Sequence, residues 1–158
     1  MTGEADQRIH TLQLAPHPEG GHYRRVHASE RVVAAPGGPL RPAMTAITFL
    51  LKQGERSRWH RVDADELWHW QAGGALCLQQ FDVVDGTLRT VELGPVSEGH
   101  VAMAVVPAGQ WQRAWTSSAF AQVGCVVAPG FTWEGFALLE QAPEVGVRLQ
   151  ALGVGEDA

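Results

Sequence analysis

The pattern of apolar and polar positions begins helical and changes to short alternating runs. Over residues 4–14, EADQRIHTLQL, Ile9, Leu12 and Leu14 recur at near-helical spacing behind polar starters, which predicts a short N-terminal helix ended by Pro16 and Pro18. His22 to Ala28 alternates as a strand, and the Gly- and Pro-rich stretch VVAAPGGPLRPA at 32–43 reads as a surface loop. From Met44 the runs TAITFLL, SRWHRV, ELWHWQ, ALCLQQFDVV, TLRTVEL, VAMAVVP, QWQRAW and AQVGCVVAP follow one another, separated by turn signals. Eight short strands with regular turns predict an all-β jelly roll or closed β-barrel, and Asp85-Gly86 predicts a hairpin between Val84 and Leu88. Residues 132–139 are expected to form a short C-terminal helix with Phe131, Phe136, Leu138 and Leu139 on its apolar face and Glu134 in its first turn. The tail GVGEDA is expected to fray.

Alternation along the strands selects the side chains that share an interior. If His60 faces inward then so does Val62, and if Glu66 does then Trp68 and Trp70 join it. Gln112 shares a face with Ala114 and Thr116, while His69 and Trp111 face the opposite layer; one bulge would shift this parity. His60 and Glu66 within an aromatic lumen read as a proton-transfer pair, with His60 as base and Glu66 fixing its tautomer. The bland alternative is a mutually satisfied buried polar network of His60, Glu66 and Gln112. His17 and Glu19, either side of Pro18 and before Gly20-Gly21, are expected to shape a turn or lean over the mouth. Trp59, Trp111, Trp115 and Trp133 are expected in the core or at a subunit contact.

Composition narrows the function class. A length of 158 residues suits one domain, and a net charge of −5 gives no general attraction for nucleic acid. Arginines cluster locally, at Arg24-Arg25 and at Arg56, Arg58 and Arg61, as a solvated rim or as a site for an anionic small molecule. Cys77 and Cys125 lie in apolar runs with no CxxC partner, and no leader pattern precedes the domain, so a cytoplasmic protein with two buried thiols is expected. No apolar run approaches the ~20 residues that a membrane span needs, so no membrane partner is expected.

The segment Gly54 to Gly73, with His60, Val62 and Glu66, and the later block Pro107-Ala108-Gly109-Gln110-Trp111-Gln112 together resemble the two motifs of the cupin superfamily. HPEGGHY at 17–23, WHRVDADELWHWQAG at 59–73, VVPAGQW at 105–111 and VAPGFTWEGFALL at 127–139, in order, resemble the Cupin_5 (DUF985) family over about residues 9–140. The resemblance implies a single-domain cupin jelly roll, paired as a homodimer, with a small-molecule ligand in its lumen. Cupins generally hold a divalent metal with two His, a Glu and a third His. Here Val62 stands at the second His and Gln112 at the third, leaving His60, Glu66 and Gln112 as the set if a metal binds, and no cofactor is expected. The layout also resembles metal-free cupin sugar epimerases, which pair a lumen His base with a Tyr acid. That implies Tyr23 as the acid, Arg25 as a binder of an anionic group, and Gln112, Trp68 and Trp70 as substrate contacts. The activity expected is therefore isomerisation or epimerisation of a polar or sugar-like substrate, with a non-catalytic ligand-binding cupin second and a metal-dependent oxygenase or hydrolase third.

Overall fold

A computed structural model describes residues 3–34 and 37–155. Helix α1 (Glu4–Thr11) opens the chain with Glu4 and Asp6 in its first turn and Arg8 and His10 in its last, each sign suited to the helix dipole. It buries Ala5 and, with Ile9 and Leu12, packs on Leu14, Leu50 and Phe120. The strands follow as β1 (Ala15–Pro16), β2 (His22–Ala28), β3 (Val32–Ala34), β4 (Leu40–Pro42), β5 (Thr45–Lys52), β6 (Arg56–Val62) and β7 (Asp65–Gly73). After them come β8 (Leu76–Phe81), β9 (Leu88–Leu93), β10 (Met103–Val106), β11 (Trp111–Trp115), β12 (Phe120–Ala128) and β13 (Phe136–Leu138), and helix α2 (Pro143–Ala151) closes the chain.

Two antiparallel sheets face one another, one ordered β1-β2-β5-β12-β7-β10 and the other β13-β6-β11-β8-β9. Apolar residues at alternate positions fill the space between them, among them Phe49, Leu51, Trp68, Leu76, Leu78 and Val123. This is the jelly roll that the run of short strands predicts, with its sheets laid face to face rather than bonded into one ring. A second apolar layer of Trp59, Phe81, Trp111 and Leu149 lies outside the five-stranded sheet, beneath α2. No helix of the described residues is long and apolar enough to cross a membrane.

Three local expectations need correction. The stretch 32–43 carries the β3–β4 hairpin, with Val32 opposite Pro42 and Ala34 opposite Leu40; residues 35 and 36 lie outside the described residues. Buried Arg41 anchors it, donating to the Gly130 carbonyl at 2.7 Å and bidentately to Asp63 at 3.0 Å. Residues 132–139 form no helix: a 3-10 turn at Trp133–Gly135 leads into β13, which pairs Phe136 with Val62 and Leu138 with His60. One short amphipathic turn gains less from helix formation, whose nucleus is costly, than from completing the ladder along the edge of β6. The terminal helix is α2, started by Pro143 and buried through Val145 and Leu149. Part of the tail is docked as well: Val154 is buried, and the Gly155 carbonyl accepts from Arg113, while residues 156–158 lie outside the described residues.

The strand that positions the chemistry is irregular. β6 pairs with β11 as His60 opposite Gln112 and Ser57 opposite Ala114, so β6 spends one more residue than β11 over this interval. The extra residue lets Ser57 and His60, three apart, both lie on the inner side, with Trp59 in the outer apolar layer.

Candidate active site

The inner wall is set by how closely the segment after β1 approaches β6. Gly20 has a φ of +112°, and a Cβ there would collide with the Arg56 carbonyl. The missing side chain allows the Arg58 amide to donate to the Glu19 carbonyl at 2.7 Å and carries the Glu19 carboxyl into the interior, where it is 6% exposed. There Glu19 Oε2 lies 3.0 Å from His60 Nε2, and Oε1 accepts from Ser57 Oγ at 3.0 Å.

The His60 ring is fixed from both ends. Its Nδ1 lies 2.7 Å from the Arg58 carbonyl, which can only accept, so Nδ1 carries a hydrogen. Nε2 and Glu19 therefore share a single proton when the pair is neutral. Burial sets where the charge goes: it pushes Glu19 up to about 8, against the pull of the Ser57 hydrogen bond and the Arg58 charge. The same burial pushes His60 down, partly countered by Glu66 and by the Arg58 carbonyl. The partner of His60 is thus Glu19, and Glu66 interacts with it through charge alone. His17 completes this side, accepting the Glu19 amide at Nδ1 (3.1 Å) and packing edge-on to Tyr23 at 4.4 Å; burial and, next, His60 lower it to about 4.

Glu66 rises from β7 onto the same cavity. Its Oε2 accepts from Gln112 Nε2 at 2.6 Å, and Gln112 Oε1 accepts from Trp68 Nε1 at 2.8 Å. Burial raises Glu66 to about 7; nearby Glu19 adds to the rise, while His60, Gln112 and the Cys125 thiol oppose it. The cavity encloses about 310 Å³ and is lined by His17, Glu19, Tyr23, Arg25, His60 and Glu66 together with an apolar wall that includes Ile47, Val62, Phe131 and Trp133.

Of the expected site residues, His60, Glu66, Tyr23 and Arg25 meet at this cavity, while Gln112, Trp68 and Trp70 do not line it. Gln112 and Trp68 stand behind Glu66 with their polar atoms spent on each other and on that carboxyl, and Trp70 Nε1 donates to the Gly74 carbonyl at 3.0 Å. The sequence leaves His17 and Glu19 as residues that shape a turn or lean over the mouth, and Trp133 in the core or at a subunit contact, and assigns none of them a role in the chemistry; all three line the cavity. Trp133 is 50% exposed and lines the cavity, 4.9 Å edge-on from Phe131. The available signal for Glu19 was an acid directly before two glycines, a place where backbone can press against backbone.

The divalent ion that the cupin resemblance implies needs several imidazole or carboxylate donors with free lone pairs. Val62 offers hydrocarbon, Gln112 spends its carbonyl on Trp68, and His60 turns its nitrogens to Arg58 and Glu19. No group of three or more His, Cys, Asp or Glu side chains among the described residues is arranged to hold a metal. The donor set does not fit that ion.

Comparison with known proteins agrees with this architecture. The family model Cupin_5, described as cupin superfamily (DUF985), matches residues 6–139. A hypothetical protein from Leishmania major is similar at 30% identity with a TM-score of 0.82, over 94% of this chain and 98% of that one. The crystal structure of a Shewanella oneidensis protein is similar at 34% identity with a TM-score of 0.78, over 98% and 100%. Bacillus subtilis oxalate decarboxylase at pH 4.6 shares the fold at 17% identity and a TM-score of 0.59, over 90% of this chain and 35% of its own. Among curated proteins none matches. With two sheets around an internal polar site and a family match spanning all thirteen strands of the described residues, the chain belongs to the Cupin_5 (DUF985) family of the cupin superfamily.

Proposed function

We propose that the protein is a metal-independent acid–base enzyme of the isomerase or epimerase type, acting on a polar, sugar-like hydroxy-carbonyl compound. The observation that carries this reading is the presence, in one cavity, of two buried carboxyls poised near neutrality, one of them sharing a proton with a tautomer-fixed imidazole. A base and an acid with such pKa values suit reversible removal of a proton beside a carbonyl.

Glu66, held by Gln112 at one oxygen, takes the proton from carbon as base. The substrate's C–H electron pair moves to form the carbon–carbon double bond of an enol, and the carbonyl oxygen receives a proton from the Glu19–His60 pair. Return of a proton to carbon, and of the oxygen's proton to the pair, completes the exchange. His60 acts here through Glu19, because its Nε2 is turned to that carboxyl. Tyr23 is a second donor on the same wall, Arg25 suits an anionic substituent, and Phe131 and Trp133 cover the apolar face of a ring. The mutual satisfaction of Gln112, Trp68, Ser57 and the carboxyls favours a second reading, a ligand-binding cupin without turnover.

Incubation in heavy water with aldoses, ketoses and their uronate and phosphate forms tests the choice. Deuterium is expected at the carbon beside the carbonyl, with the rate falling about 100-fold or more in Glu66→Gln. Exchange that survives Glu66→Gln unchanged removes Glu66 as base. Thermal shifts without exchange favour the binding module.

A further inference from the structure

The outer face of the five-stranded sheet holds polar chemistry that the cavity does not use. Arg113 on β11 is 5% exposed. Among the described residues the arginines in ion pairs are Arg8, Arg41 and Arg58, and Arg113 has no carboxylate partner. Its Nε donates to Gln79 Oε1 at 2.9 Å and its Nη1 to the Gly155 carbonyl at 3.2 Å, both neutral acceptors. The guanidinium carbon lies 5.0 Å from the Trp59 ring centre and 5.1 Å from that of Trp115. Aromatic faces and carbonyls offset part of the cost of removing a cation from water, but they do not supply the missing charge.

Neighbouring side chains add to the imbalance. Arg56, Arg58, Trp59, Arg113 and Glu140 line a cleft of about 250 Å³ where β6 and β11 meet the end of β13. Arg58 gives Nη1 to Glu140 at 2.8 Å and Nη2 to the Pro18 carbonyl at 2.7 Å, so one carboxylate at the rim stands against three guanidinium groups. Arg56 is near enough to oppose the Arg113 charge, which burial, the larger cause, already disfavours. The buried Trp59 Nε1 has no hydrogen-bond partner among the described residues.

We propose that this cleft is a second binding site, for a carboxylate or phosphate anion held chiefly by Arg113 and Arg56, separate from the cavity between the sheets. Two sources carry that chemistry: a free small anion, or the chain's own Glu156 and Asp157, which follow Gly155 in sequence. Titration of the nitrogen-15-labelled full chain with inorganic phosphate at constant ionic strength tests the site, read at the Trp59 indole and Arg113 Nε resonances. The expected result is a saturable shift of those signals, weakened about tenfold by Arg56→Ala, as loss of one charge-assisted bond implies. A full-length chain carrying Glu156→Gln and Asp157→Asn separates the sources, because it leaves the Gly155 carbonyl that Arg113 uses as it is. If the tail is the occupant, the two signals are already shifted in the neutralised chain and phosphate binds it more tightly. If a free anion is the ligand, neutralising the tail changes neither. Linear drift in both chains, common to every arginine signal and indifferent to Arg56→Ala, overturns the proposal.

Discussion

At the scale of single residues the decisive contact is the one between Glu19 and His60, where burial determines which group carries the proton near neutrality. Glu19 and Glu66 are held at about 8 and about 7, above the ordinary 4.5, so their folded forms bind a proton more tightly than the unfolded chain does. Their stabilising contribution is complete below about 4.5 and is lost as pH rises through 7 and 8. His17, lowered from 6.5 to about 4, acts in the opposite sense: its contribution is complete above 6.5 and is lost as pH falls toward 4. Denaturant unfolding should therefore show stability declining from about pH 4.5 to about pH 8, offset in part by His17 below 6.5 and level above 8, and Glu19→Gln should flatten that decline by a few kcal/mol, at about 1.4 kcal/mol per pKa unit. An unaltered slope would show that Glu19 is ionised at neutral pH. Nitrogen shifts of His60 should report the Nδ1–H tautomer in the wild type. Alternation along two strands was enough to bring His60, Val62 and Glu66 to one interior from the sequence. It is silent on Glu19, which arrives from a turn with no period; Gln112 joins Glu66 as the buried polar network anticipates, but its second partner, the Trp68 indole, is one that no spacing rule identifies.

At the scale of elements the site depends on contacts that bring irregular backbone against β6. Gly20→Ala forces a Cβ into the Arg56 carbonyl at a backbone angle that side chains avoid, and should cost about 1–3 kcal/mol in chemical denaturation while separating Glu19 from His60. Recovery of full stability in that variant would mean the turn can be rebuilt elsewhere. The eight central strands were legible because alternation and turn residues agree along each. The errors fell at 32–43 and 132–139, where local composition says loop or helix and a partner strand decides otherwise. Pairing across the chain cannot be read from a window of eight residues.

At the scale of the whole molecule, α1 and α2 seal separate apolar clusters, and α2 holds the outer layer over Trp59 and Trp111. Leu149→Ala should cost about 2–5 kcal/mol, measured by thermal or denaturant unfolding, because it leaves a cavity beneath that helix. Treatment with a chelator should leave the unfolding midpoint where it was, since the donors around Glu66 are committed to one another; a marked drop would point to a bound ion. The additional residue in β6 joins the chemistry on its two faces. On one side the strand presents Ser57 and His60 to Glu19, and on the other it presents Trp59 and the Arg58 guanidinium, while the Arg58 backbone fastens both Glu19 and His60. Double-mutant cycles joining positions 19 and 58 should depart from additivity by about 0.5–3 kcal/mol. The two backbone bonds at position 58 survive replacement of its side chain, so such a change reaches Glu19 only through the lost guanidinium charge.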